Sequence, residues 1–316
     1  MFAPKFGRYA APLALIAVLG GCAGQQSAGG SIPTVAAPLS QHRPSHGSWM
    51  KPALRGVSLL YVSDSFNQVV DVYTYPNLKP AGQLTGFGSP AGECTDKSGD
   101  VWIADANGAV YEYAHGSTNP IVSLLTDMNH PSDCAVNPPN GDLAVANGNT
   151  QVLLFHTGSS SPSIYSDANF SQTAFLGYDN SGNLFVDGMD SSNRFFWYAE
   201  LPAGSQTFTD ISLNYGNFPQ LQSPGGIHWD GTHMAISDTQ STIYQTLGSN
   251  VVSTTAISTT CAFDFALVKS RRAPLVAPDQ CTGGGVVDTF AYPGGGSPIK
   301  QITSGLNTPY GAVVSR

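Results

Sequence analysis

Pro90-Ala91-Gly92-Glu93-Cys94-Thr95, then Asp96-Lys97-Ser98-Gly99-Asp100, then Val101-Trp102-Ile103-Ala104-Asp105, and shortly after Val110-Tyr111-Glu112-Tyr113, form one repeating phrase of this chain. It reads as a short strand, a turn whose Gly supplies positive φ, an apolar strand ending in Asp, a tight turn, and an aromatic strand. Its apolar strand returns as Leu59-Leu60-Tyr61-Val62-Ser63-Asp64, Leu143-Ala144-Val145-Ala146-Asn147, Leu184-Phe185-Val186-Asp187, Met234-Ala235-Ile236-Ser237-Asp238 and Leu275-Val276-Ala277-Pro278-Asp279. The terminal Asp or Asn positions lie 41, 42, 40, 51 and 41 residues apart. The long interval holds an extra polar and aromatic loop at residues 214–222.

The neighbouring segments keep the same register. Pro90, Pro131, Pro224 and Pro309 precede first strands, and Gly-bearing turns follow first strands at Asp96-Lys97-Ser98-Gly99, Asn140-Gly141, Asp179-Asn180-Ser181-Gly182 and Asp230-Gly231. Aromatic third strands follow each tight turn, as at Val70-Asp71-Val72-Tyr73 and Phe195-Phe196-Trp197-Tyr198. Four strands per unit at a period near 40 residues is the sequence pattern of a propeller blade. One four-stranded sheet cannot bury both its faces, whereas six packed radially can. The folded chain opens with a second-type strand at Leu59 and closes with a first-type strand at Pro309-Tyr310-Gly311-Ala312-Val313-Val314. The expectation is an all-β, six-bladed β-propeller over residues 53–316, closed by a C-terminal strand that joins the first blade.

Composition agrees. Of 21 acidic residues only Glu93, Glu112 and Glu200 are Glu, and Asp favours turns over helices. Thirteen Lys and Arg against 21 acids give a formal charge of −8, which argues against a nucleic-acid partner. The Pro-x-Gly, the Asp-x-x-Gly turn, the apolar strand ending in Asp and the following Tyr strand together resemble six-bladed NHL-repeat-like or TolB-like propellers. That resemblance covers about 53–316 and implies a fold rather than an activity.

The N-terminus reads as an address. Lys5 and Arg8 precede an apolar run from Ala10 to Leu19, which is too short for a membrane span. Leu19-Gly20-Gly21-Cys22 then resembles the lipobox of bacterial lipoproteins. The resemblance implies a signal peptide at 1–21, an acylated Cys22 and a membrane partner held through lipid. Residues 22–52 are rich in Gly, Ser, Pro and Gln and read as a flexible tether. The chain is therefore expected outside the cytoplasm, on the cell envelope. With Ala23 after the Cys, resemblance to Gram-negative lipoproteins implies the outer membrane.

Four further cysteines in an oxidising compartment suggest disulfides. Cys261 opens a first strand and Cys281 follows the second strand of the same sheet. Antiparallel pairing puts those ends side by side, so a Cys261–Cys281 bridge is expected. Cys94 and Cys134 take matching places on neighbouring first strands, where a second bridge and two buried free thiols are both open readings.

Loops entering the first strands and leaving the second strands share one rim, the default binding surface of such a ring. The repeated Asp positions there read chiefly as turn-stabilising acceptors. Departures from the repeat are the candidates for binding: Glu93, His130, His228 and Tyr310, with Asp190 and Arg194 in an enlarged loop. The insertion at 214–222 is expected to overhang that rim. The favoured reading is a non-catalytic binding or scaffold module, as a monomeric domain without a cofactor, for a protein, peptide or glycan. The alternative is a divalent-cation-dependent hydrolase or lyase, gluconolactonase-like or streptogramin-lyase-like, with Glu93, Asp105 and Asp238 as candidate metal ligands. No Ser-His-Asp order, phosphate loop or familiar metal spacing supports catalysis.

Overall fold

A computed structural model describes residues 47–52, 54, 56–125, 127–268, 275–281 and 284–316. The segments read as signal peptide and acylation site lie outside them. No helix occurs among the described residues, and none there is long and apolar enough to cross a membrane. The strands form six antiparallel sheets, five of four strands and one of five.

In the five-stranded sheet the C-terminal strand Pro309–Ser315 lies beside Leu59–Asp64, with Leu60 opposite Val314 and Val62 opposite Ala312. The two ends of the fold thus complete one blade. The same sheet gains an outer strand, Trp49–Met50, paired with Lys79–Thr85. The folded body therefore begins inside the stretch read as tether.

The second strand of each blade explains why the ring holds. Leu59–Asp64 is buried along its whole length, as are Leu143–Ala146 and Leu275–Asp279. Side chains alternate across a strand, so one strand serves two interfaces. Leu59 and Tyr61 pack with Val101, Ile103 and Tyr113 of the second blade. Leu60 and Val62 pack with Val276 and Val287 of the sixth. Each such fully buried side chain contributes about 1.5–3 kcal/mol. Outer strands such as Pro120–Leu124 are largely exposed, as radial packing requires.

The Gly of Pro-x-Gly answers to close approach between blades. A Cβ on Gly311 would run into the carbonyl oxygen of Ala91, on the next blade's innermost strand. The repeated Asp residues staple loops. Asp105 accepts from the backbone N–H of Gly88 and Ser89, both at 2.8 Å. Asp64 accepts from Asn307 at 2.6 Å and Thr308 at 3.2 Å, which pins the C-terminal strand at its start. Asp279 does the same with Thr260 and Cys261 at 2.6 and 3.3 Å. Each ties the end of a second strand to the loop entering its neighbour.

Both disulfides are present. Cys261–Cys281 joins first- and second-strand ends within the sixth blade, and Cys94–Cys134 joins neighbouring blades; both have Cα–Cα separations of 5.7 Å.

Candidate functional site

The innermost strands run along the ring axis from the rim of entering loops to the rim of first turns. Near the entering rim the axis is filled. Tyr310 and Phe175, both buried, stack at 6.0 Å with 12° between their planes. Around them lie three buried carboxyl groups, Asp133, Asp187 and Asp264. Asp187 accepts from Phe175 N–H at 3.1 Å and Gly225 N–H at 3.0 Å, and Asp133 from Leu176 N–H at 3.0 Å. Burial, with the charge of Asp264 nearby, still holds the carboxyls of Asp133 and Asp187 well above the ordinary range.

Toward the opposite rim the axis opens into a cavity of about 430 Å³. Its inner wall carries Glu93, His228 and the Cys94–Cys134 bridge; Tyr178, Trp229, Asp230 and Tyr292 stand toward its mouth. The innermost strands end here, so six chain segments converge on one small space. Glu93 is 3% exposed; its Oε1 accepts from Ser63 Oγ at 2.7 Å, while its Oε2 has no partner. Burial pushes its carboxyl well above the usual range, against the Ser63 hydrogen bond and with the charge of Asp264. His228 packs edge-on to Phe265 at 4.7 Å, and its Nε2 lies 3.6 Å from Asp264 Oδ1, beyond a hydrogen bond. Tyr178 Oη and Trp229 Nε1 are likewise buried without partners. Four orphaned polar atoms around one cavity is a concentration of unmet hydrogen-bonding capacity.

The sequence candidates separate accordingly. Glu93 and His228 come together at the cavity. Tyr310 sits on the axis but inside the plug. His130 lies half-buried on an entering loop, its N–H donated to the Asn147 carbonyl at 3.2 Å, at the far rim from the cavity. Asp190 organises its own exposed turn, accepting from the N–H of Arg194 at 3.0 Å and Phe195 at 3.2 Å. Those hydrogen bonds hold its carboxyl below the usual range despite the opposing effect of desolvation. Arg194 stands exposed in that turn.

Asp105 is committed to its staple, and Asp238 accepts from Gln240 N–H at 2.8 Å and Tyr244 Oη at 3.3 Å. Glu93, Asp105 and Asp238 do not gather as a ligand set. Among the described residues the three-carboxylate group close enough to share an ion is Asp96, Asp100 and Glu112, half-buried on the second blade. The 214–222 insertion packs against the fifth blade, and its Tyr215, Phe218 and Leu221 join the apolar cluster that holds Phe175 and Tyr310. Asn214 bridges Asn250, and Tyr215 packs edge-on to Tyr244 at 6.3 Å.

Sequence reasoning missed Asp133, Asp264, Asp230 and the aromatic mouth. One signal was present. Asp133 and Asp264 occupy the register position that is Gly92, Gly226 and Gly311 in other blades. An acid there must project where three units tolerate no side chain at all.

Fold and site together define a six-bladed β-propeller with an axial cavity open at one rim. Comparison with known protein families and with curated proteins finds no match.

Proposed function

We propose that this chain is a lipid-anchored module of the cell envelope that binds a small ligand, or the end of a glycan or peptide, in its axial cavity without transforming it. The observation that carries the reading is the cavity itself: an end closed by the axial plug, aromatic residues in its wall and orphaned polar atoms around it. Such concave, mostly preformed spaces with a few convergent polar groups are where ligands bind. Two disulfides are in keeping with an oxidising compartment. The order of positive residues, apolar run and Leu19-Gly20-Gly21-Cys22 supports acylation at Cys22. The hydrolase or lyase alternative is the weaker one, since Asp105 and Asp238 are already satisfied by backbone and hydroxyl donors.

Two measurements test this. Asn180 is an exposed residue at the cavity mouth. A panel of envelope glycans and short peptides titrated by NMR should yield a ligand whose binding is lost in Asn180→Trp. Binding unaffected by that obstruction, or no binding across the panel, overturns the cavity reading. Separately, Cys22→Ala should move the protein from the membrane fraction to the soluble one; retention in the membrane overturns the anchor.

A further inference from the structure

We propose that the axial cavity selects a small organic cation, an ammonium group on an aromatic or aliphatic body, with the charge directed to Glu93 and the body against Trp229, Tyr178 and Tyr292. The proposal rests on the cavity being a binding site and adds the class of ligand it takes.

Among the described residues no lysine or arginine lines the cavity; its carboxyl groups are Glu93 at the inner end and Asp230 at the mouth, and His228 is the imidazole on its wall. Asp230 is kept ionised. Burial works against its charge, but the N–H groups of His233 and Thr232 and the Tyr292 hydroxyl, at 2.7, 2.8 and 2.9 Å, hold its carboxyl below the ordinary range. Behind Glu93 the charges that bear on it and on Asp133 and Asp187 are those of other carboxylates. A concave space with low-dielectric walls lined this way draws positive charge inward.

The unmet acceptor has the matching sign. Glu93 Oε2 is buried with no donor, and an unpartnered carboxyl oxygen in that setting is costly unless a donor arrives. An ammonium group supplies donors and charge but accepts nothing. The mouth supplies the rest. Two tyrosines and a tryptophan line it, rings of the kind that attract a cation, and Leu267, Val268 and Val313 provide apolar contact for its body.

A proton accompanies the event. In the empty cavity burial favours the protonated Glu93 carboxyl. Ser63 and the Val313 N–H favour its charged form and the charge of Asp264 opposes it; the Tyr61 hydroxyl lies on a neighbouring strand and the His228 imidazole shares the cavity wall. None of the groups that act on it brings a fixed positive charge. An entering ammonium does, so Glu93 gives its proton to solvent as the ion pair forms. Ammonium binding therefore tightens as pH rises, whereas a neutral isostere shows no such dependence.

Phenethylamine and 2-phenylethanol differ chiefly in charge. Titrated into the purified protein and followed by calorimetry and ligand-observed NMR, the amine should bind about tenfold or more tightly than the alcohol. That preference should grow as pH rises, and amine binding should release protons, detected as a dependence of heat on the buffer. Glu93→Gln should abolish the preference and the proton release. Asp230→Asn at the mouth should reduce the preference as well, and it serves if Glu93→Gln does not fold. Equal binding of amine and alcohol, or a preference unchanged in both variants, overturns the cation selectivity while leaving the cavity a binding site. Binding of neither probe at millimolar concentration overturns the cavity reading itself.

Discussion

At the scale of single residues this protein divides its carboxylates by what surrounds them. Asp105 and Asp142 sit in nests of donors; for Asp142, the Thr157 N–H and His156 outweigh burial and lower its carboxyl. Glu112 is the opposite case. Burial first, then the charges of Asp100 and Asp96, push its carboxyl up to about 7. The native state thus holds a proton that the unfolded chain releases at lower pH. By linkage this group's contribution to stability is fully present below its ordinary value and is lost as pH rises through about 7. Glu112→Gln removes that loss. Its Tm should exceed the parent's near pH 8 and converge with it near pH 4, as scanning calorimetry would read. A constant offset across that range would mean that the crowding of Asp96, Asp100 and Glu112 leaves no mark on stability.

At the scale of strands and their fastenings, the two disulfides close loops of different length. Cys94–Cys134 spans 40 residues and Cys261–Cys281 spans 20. On the chain-entropy account, losing the longer link costs about 4 kcal/mol and the shorter about 3 kcal/mol. The paired replacement Cys94→Ala with Cys134→Ala should therefore lower the urea midpoint more than Cys261→Ala with Cys281→Ala. The reverse order would show that the within-blade bridge carries packing the loop length does not capture. The same elements show what a sequence can disclose. Strand type and blade number were legible because the Asp-terminated strand returns at a nearly fixed interval and each copy serves the same loop staple. The Cys261–Cys281 pairing was legible because antiparallel neighbours put those ends together. The site was legible only in part. Glu93 and His228 stand out as departures from the repeat, but they come from different blades, and what makes them a site is a cavity bounded by six segments far apart in sequence. The plug made by Phe175 and Tyr310 was hidden for the same reason. Each reads locally as an ordinary strand aromatic, and only ring closure stacks one upon the other.

At the scale of the whole molecule, the last strand decides whether there is a ring. Pro309–Ser315 pairs with Leu59–Asp64, Tyr310 fills the axis, and Ser315 Oγ donates to the Gly99 carbonyl and bonds His115 on the second blade. Removing residues 309–316 strips the innermost strand from one blade. It leaves a row of formerly paired backbone groups at the ring's centre, each about 1–3 kcal/mol if it stays buried and unmet. The axial cavity also loses Val313 and Val314 from its wall. A chain ending at Thr308 should accordingly lose its single cooperative thermal transition and elute as an expanded or aggregated species. Covalent order should matter far less than closure. Trp49–Met50 and Pro309–Ser315 are the outer and inner strands of one five-stranded sheet, so four strand spacings, about 19 Å, separate them. A Gly/Ser linker of about 12 residues spans that distance. A permuted chain joined there and opened in the exposed turn at Ala203-Gly204 should fold with a cooperative transition and keep the cavity. If the truncated chain instead melts as sharply as the intact one and within a few degrees of it, the six blades are stable without their seal, and the C-terminal strand is a covering of the axis rather than the closure of the ring.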